Sequence, residues 1–169
     1  PMVPGRGVDD AAAALLEFAS GATGVVEVSR VATGHRQGLR LEVNGGEGSA
    51  IFELERPNEL ALFNAAGGRH RGFTLLNVTE ASDPFMGRWW PPGLGIGWEH
   101  SFAHQLAELI DRITGEARET LGATFEDGYR AAEACDALLR SAAHGTREEV
   151  VYRRVPTRAP ENLARPPAL

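Results

Sequence analysis

Short, glycine-bearing links between strand-like runs are the feature of this sequence that most limits how it can fold. Runs rich in apolar and β-branched residues occupy 11–18 and 24–32, and only residues 19–23 separate them. Similar runs follow at 39–43, 49–55, 60–63 and 73–78. Parallel neighbours need a crossover of a dozen or more residues, whereas antiparallel neighbours can be joined by a tight turn. The pattern therefore predicts an antiparallel meander of about six strands, typical of one sheet.

A segment rich in proline and glycine interrupts this pattern at residues 83–98. It contains three prolines and four glycines, and it carries all three tryptophans of the chain. This composition excludes regular structure, and long loops inside compact domains are often functional. We therefore expect a loop that contributes to a binding site.

Two helices are predicted after the loop. In the first, which Gly115 ends, apolar residues recur at helical spacing: Phe102, Leu106, Leu109, Ile110 and Ile113. The second begins at Thr124, whose hydroxyl can cap the helix, and ends before Gly145, where a left-handed cap is expected. Cys135 belongs to the predicted buried stripe of this second helix, as a small apolar side chain.

Strands followed by helices are typical of the α+β class. We predict an open, mostly antiparallel sheet with helices packed on one face. The strands supply more apolar side chains than one helical layer needs, among them Leu15, Val26, Val28, Ile51 and Leu62. The other face is therefore predicted to form a dimer or tetramer with copies of the same chain. Residues 148–155 predict a closing strand, and residues 156–169, with four prolines, predict a tail.

The composition excludes several classes of function. The net charge is −6, which argues against a nucleic-acid partner because phosphate binding needs a basic face. No apolar run approaches the roughly 18 residues of a membrane span, and no secretory signal opens the sequence. The single cysteine, Cys135, excludes an internal disulfide and predicts a cytoplasmic location.

Lysine is missing from the sequence, since all 17 positions that hold Lys or Arg are arginine. Lysine Schiff-base chemistry, a P-loop lysine and a lysine general acid are therefore excluded on this chain. No glycine-rich nucleotide fingerprint follows a strand and opens a helix. We accordingly expect no nucleotide cofactor on this chain. Because no second motif supplies a further ligand beside His100 and His104, we also expect no metal.

Several segments carry a family resemblance in the same order along the chain. They are 8–18 with 24–30, Leu41–Ser49, Glu55–Leu60, Gly97–Phe102 and Thr124–Arg130 leading into 138–143. Together they resemble the C-terminal domain of the Gfo/Idh/MocA dehydrogenases, named for glucose–fructose oxidoreductase and inositol dehydrogenase. The resemblance extends from residue 8 to about 152.

This resemblance implies a two-domain enzyme that acts on a sugar, cyclitol or related polyol. Residues 8–155 would be its substrate-side and oligomerisation domain. A Rossmann domain that precedes this segment in the family, or that another polypeptide supplies, would bind NAD or NADP and carry the catalytic lysine. The family's Asp-x-x-x-His pair lies on a helix before the first strand found here, and no Asp of this sequence is followed by His at that spacing. The resemblance therefore implies no catalytic acid or base on this chain, which alone is expected to be inactive.

The candidate substrate contacts lie mainly in the loop and at the start of the helix after it. Aromatic faces suit the C–H face of a sugar ring, and imidazole or guanidinium groups suit its hydroxyls or an anion. The substrate-binding residues that we predict are His100, Trp89, Trp90, Trp98, Arg88 and His35.

Plainer interpretations stand beside these. The alternative role of His100 is to cap the helix, and the tryptophans could equally pack against a helix or a neighbouring subunit. His100, His104 and Glu108 have the spacing of zinc ligands, although two histidines on a helix face are more often only solvated. For the whole domain, the alternative is a non-catalytic oligomerisation or small-molecule-binding module without hydride chemistry.

Overall fold

Two units make up the chain, for which the computed structural model describes residues 4–5, 7–67, 71–116 and 121–153. The first unit, Pro1–Gly122, contains the described strands and the first helix. The second unit, Ala123–Leu169, contains the second helix.

A β-hairpin opens the first unit. Strand β1, Ala11–Glu17, pairs antiparallel with strand β2, Thr23–Ser29. The turn closes through a 2.9 Å hydrogen bond from the Phe18 N–H to the Ala22 carbonyl. Gly21 has φ 87°, a left-handed conformation that glycine adopts without steric cost. This explains why the predicted turn contains a glycine.

A four-stranded antiparallel sheet follows in chain order. Its strands are β3 Arg40–Asn44, β4 Gly48–Glu53, β5 Glu59–Asn64 and β6 Thr74–Asn77. The central strands β4 and β5 are half-buried, whereas the edge strands β3 and β6 are exposed. The predicted turn between β3 and β4 closes through a 2.8 Å bond from the Gly45 N–H to the Gly48 carbonyl.

The division into two sheets differs from the single sheet that we expected. The sequence pattern located the strands and their tight turns, but residues 30–39 between β2 and β3 are not a tight turn. Alternation of apolar residues determines which face a side chain occupies, not which strand edge finds a partner. The pairing of β2 with β3 was therefore a wrong inference.

The first helix, α1, spans Trp98–Thr114. It ends where predicted, at Gly115, which caps it with φ 78°. The residues of its apolar stripe, from Phe102 to Ile113, each have an exposed fraction of 50% or more. Because α1 begins at Trp98, this residue is helical rather than part of the loop.

The second helix, α2, spans Phe125–His144, and both of its predicted caps are confirmed. The hydroxyl of Thr124 accepts from the Asp127 N–H at 3.3 Å, while the Asp127 carboxylate accepts from the Thr124 N–H at 2.8 Å. Gly145 ends the helix with φ 66°. Cys135, however, is exposed, and Ala137 is the buried residue. The burial prediction was wrong because many small alanines leave the orientation of this helix weakly specified by its sequence.

The predicted closing strand does not form within residues 148–153, and residues 154–155 lie outside the described part of the chain. The hydroxyl of Tyr129 accepts from the Arg153 N–H at 2.7 Å and donates to the Arg153 carbonyl at 3.1 Å. Both backbone groups of Arg153 are therefore bonded to a helix side chain, not to a neighbouring strand. The tail predicted at residues 156–169 also lies outside the described residues.

The α+β class is confirmed, because antiparallel sheets come first and helices follow in an open arrangement. Within the described residues, neither helix combines the length and the apolarity that crossing a bilayer requires.

Candidate functional site

Five aromatic and imidazole rings come together between the proline- and glycine-rich loop and the first two turns of α1. We call this group the Trp–His cluster, and its members are Phe85, Trp89, Trp90, His100 and His104. The helix places His100 and His104 on one face because residues four apart are neighbours on a helix. The loop supplies the other three rings.

His100 combines a helix cap with ring contacts. Its Nδ1 accepts a 3.1 Å hydrogen bond from the N–H of Gly97, the residue that precedes α1. Its ring lies edge-on to Trp89, with ring centres 4.6 Å apart, and to Trp90 at 5.0 Å. Because Nδ1 accepts in the neutral ring, the proton lies on Nε2. His100 therefore caps the helix with one nitrogen and keeps a donor on the other.

His104 contacts two aromatic side chains of the loop. Phe85 stacks on its ring, with centres 4.3 Å apart and planes 13° apart. The indole N–H of Trp89 donates to its Nε2 at 2.7 Å. Partial burial, followed by the nearby His100, lowers the pKa of His104, and Glu108 opposes the shift. The arrangement favours a neutral His104 with its proton on Nδ1.

Phe85 has an unusual backbone. Its φ of 68° lies in the left-handed region, which a bulky residue adopts only at a cost. It precedes a single 3-10 turn, Met86–Arg88, in which Met86 is buried. This turn connects Phe85, which stacks on the His104 ring, to Trp89, which donates to a nitrogen of that ring.

Two residues that lie next to strands of the four-stranded sheet hold the loop through hydrogen bonds. The Asn58 amide donates to the Ile96 carbonyl at 2.9 Å and accepts from the Ile96 N–H at 2.8 Å. The hydroxyl of Thr79, a buried residue, accepts from the Gly93 N–H at 3.2 Å. Sequence reasoning did not find either residue, because no local pattern shows that a turn asparagine reaches a backbone 38 positions further along.

Trp90 is anchored within the loop itself. Its indole N–H donates to the Leu94 carbonyl at 2.7 Å and more weakly to the Gly95 carbonyl at 3.3 Å. Its ring lies 5.5 Å from that of Trp89, centre to centre. Each of these two tryptophans has an exposed fraction of 38%, so the cluster has an accessible aromatic surface.

The structure brings together three of the six predicted substrate contacts, namely Trp89, Trp90 and His100. Trp98 is 56% exposed and its ring contacts Phe102 instead. Arg88 is exposed at the end of the 3-10 turn. His35 lies in the link between β2 and β3, where its N–H donates to Ala32, and no described contact joins it to the cluster. A substrate role for any of the six stays a prediction.

The zinc-like spacing does not produce a ligand set among the described residues, where no three His, Cys, Asp or Glu side chains gather. Glu108 accepts hydrogen bonds from the N–H groups of Leu121 and Gly122, one on each of its carboxylate oxygens.

Comparison with known proteins assigns the domain. Residues 1–51 match the family described as GFO/IDH/MocA C-terminal domain. A levoglucosan dehydrogenase from Pseudarthrobacter phenanthrenivorans is 34% identical over 137 residues, which cover 80% of this chain and 35% of that protein. The chain belongs to the GFO/IDH/MocA family. The resemblance stated from its sequence motifs is thereby confirmed.

Solved structures of similar proteins share the fold of this GFO/IDH/MocA domain. An oxidoreductase domain protein from Kribbella flavida is 35% identical with a TM-score of 0.80, over 86% of this chain and 39% of that one. A levoglucosan dehydrogenase in complex with NADH and levoglucosan is 32% identical with a TM-score of 0.75, over 83% and 38%. The chain thus spans somewhat over a third of the length of these relatives.

Proposed function

We propose that this chain is the substrate-side and oligomer-forming domain of an NAD(P)-dependent oxidoreductase acting on a sugar, cyclitol or related polyol. A Rossmann domain, from the same or another polypeptide, supplies the nucleotide site and the acid and base. Two relatives support this proposal by name, since one is a levoglucosan dehydrogenase and another was solved with NADH and levoglucosan. A cytoplasmic location stays a prediction.

The observation that carries the proposal is the edge-on contact of the His100 ring with two accessible indole rings. A polyol needs a flat apolar surface for its C–H face and directional donors or acceptors for its hydroxyls. Trp89 and Trp90 offer the surface, and Nε2–H of His100, whose other nitrogen already caps the helix, offers a donor. In this arrangement His100 binds and orients a substrate hydroxyl without transferring a proton.

His100 has two separable roles, and two substitutions in the complete enzyme distinguish them. His100→Ala removes both the cap and the donor. His100→Glu keeps an acceptor at the third helical position, where glutamate completes a capping box, but has no N–H to offer a hydroxyl. Losing one neutral hydrogen bond costs about 0.5–1.5 kcal/mol, so we expect both variants to raise KM several-fold and to keep most of kcat.

The melting temperature separates binding from capping in the same pair. We expect His100→Ala to melt lower than the wild type and His100→Glu to melt close to it. If His100→Glu has a wild-type KM while His100→Ala is only less stable, capping is the whole role of this residue. That result would refute the assignment of the Trp–His cluster to the substrate.

For assembly, we propose that a second copy of the chain covers the β1–β2 hairpin. Leu15 and Val25, which are directly paired, have exposed fractions of 84% and 73%. On the opposite face Val26 is 37% and Val28 is 56% exposed. Water-exposed apolar faces of this kind favour association, and the Leu15–Val25 face is the more exposed of the two.

A further inference from the structure

We propose that Asn58 is the positioning residue of the Trp–His cluster: by holding both backbone groups of Ile96 it sets where Trp90 and His100 meet the substrate. This inference rests on the proposed function of the cluster. Within the described part of the chain, the Asn58 amide is bonded to Ile96 and to no ring of the cluster, so it acts through residues 94–97.

The amide of Asn58 matches the backbone of Ile96 group for group. Its Nδ2 donates to the Ile96 carbonyl at 2.9 Å, and its Oδ1 accepts from the Ile96 N–H at 2.8 Å. Asn58 is half-buried in the turn between β4 and β5, and its own carbonyl accepts from the Val78 N–H at 2.9 Å. The sheet therefore holds the asparagine, and the asparagine holds the loop.

Gly95 provides a second, independent observation. A Cβ at this position would lie 2.9 Å from Asn58 Nδ2, closer than real Cβ atoms approach, and 3.2 Å from its Cγ, which is tighter than most real contacts. The φ of Gly95 is not in the left-handed region, so an alanine is compatible with the backbone itself. The glycine is explained by the space that the Asn58 amide occupies.

Ile96 lies between the anchors of the two proposed substrate contacts. The Trp90 indole is bonded to the carbonyls of Leu94 and Gly95, directly before it. The Gly97 N–H, directly after it, is bonded to Nδ1 of His100. A shift of Ile96 therefore displaces the support of an indole ring on one side and of an imidazole ring on the other.

The test uses the complete enzyme with three substitutions. Asn58→Ala removes both bonds, Asn58→Asp keeps an acceptor but sets a carboxylate against the Ile96 carbonyl, and Gly95→Ala pushes the intact asparagine away. We expect each to raise KM about three- to tenfold while kcat changes less than about twofold, the size expected when a hydrogen bond is lost. The tryptophan emission spectrum and the exchange rate of the Ile96 amide should change with KM.

Matched controls lie elsewhere in the same unit. The side-chain oxygen of Asn64 accepts a local bond from the Ala66 N–H at 2.9 Å, two residues away, so Asn64→Ala should leave KM, emission and Ile96 exchange unchanged. Gly72 has open space around it and an ordinary φ, so Gly72→Ala should do the same. Asn58→Ala and Gly95→Ala should thus change KM, tryptophan emission and Ile96 exchange together, whereas neither control should change any of the three.

A wild-type KM in Asn58→Ala and Gly95→Ala overturns the inference, and so does an equal KM rise in Asn64→Ala. If Asn58→Ala does not fold, Gly95→Ala makes the same test with the asparagine in place. The His100→Glu variant distinguishes a failure of the proposed role of Asn58 from a failure of the proposed function of the cluster. A raised KM in that variant together with normal Asn58 variants refutes only the role of Asn58. If KM is normal in His100→Glu and in the Asn58 variants, although Ile96 exchange is faster in the Asn58 variants, the proposed function is refuted as well.

Discussion

The indole N–H of Trp89 donates a 2.7 Å hydrogen bond to Nε2 of His104, and this bond requires that nitrogen to be unprotonated. Phe85 stacks on the face of the same imidazole. The orientation of an exposed tryptophan in the proposed substrate surface is thus coupled to the charge of one histidine.

Stability should therefore fall on acidification through His104. Its pKa is lowered by partial burial and by His100, so the folded chain takes up this proton less readily than the unfolded chain. The contribution is fully present above the ordinary histidine value of about 6.5, and it is lost as pH falls from there toward the lower folded pKa. Urea denaturation across this range checks the direction.

His104→Gln is the control for the pH effect, because its amide oxygen can accept from Trp89 without titrating. We expect this variant to lack the histidine part of the pH dependence and to keep its tryptophan emission constant between about pH 7 and 5. An identical pH profile in His104→Gln and the wild type would assign the effect to other groups.

Phe85 should tolerate glycine better than alanine. Both variants lose the ring that stacks on His104, but only glycine adopts φ 68° without a steric penalty. The free energy of unfolding of Phe85→Gly should exceed that of Phe85→Ala by about 1 kcal/mol. At Phe73, which does not have a positive φ, the order of the two variants should reverse. A Phe85→Ala variant at least as stable as Phe85→Gly would show that the backbone of Phe85 is not strained.

Gly48→Ala should destabilise the four-stranded sheet. A Cβ there would collide with the Phe63 carbonyl oxygen of β5, which is part of the backbone and cannot rotate away. We expect a loss of about 1–3 kcal/mol, as for other overpacked positions. Gly46→Ala in the same turn has open space and an ordinary φ, so its effect should stay within about 0.5 kcal/mol. Urea denaturation of both variants makes the comparison, and equal effects would contradict it.

Assembly should depend on the outer face of the hairpin. If copies of the chain pack through Leu15 and Val25, the interface should bury more than roughly 1,200 Å² in total. Leu15→Asp should then give monomers or aggregates in sedimentation velocity, because a charge is buried without a partner. Ser20→Asp adds the same charge at the exposed turn and should leave the assembly intact. A monodisperse wild-type monomer at micromolar concentration would contradict the proposal.

Local features of this fold could be predicted from the sequence because their causes lie within a few residues. The hairpin turn at Gly21, the turn between β3 and β4, and the helix ends at Gly115, Thr124 and Gly145 each depend on a backbone conformation or a neighbouring donor. Three members of the cluster, Trp89, Trp90 and His100, were proposed from the sequence as substrate contacts, and their rings do contact one another. Their role toward a substrate stays a prediction.

Only the tertiary structure decided which distant groups meet. Two sheets form instead of one, Cys135 is exposed, and the backbone of Arg153 is bonded to Tyr129 rather than to a strand. The Asn58–Ile96 contact joins residues 38 positions apart. Apolar spacing and turn residues report local geometry and the face a side chain occupies. Which edges and surfaces pair depends on free-energy differences among whole arrangements of the chain, and no short stretch of sequence contains that comparison.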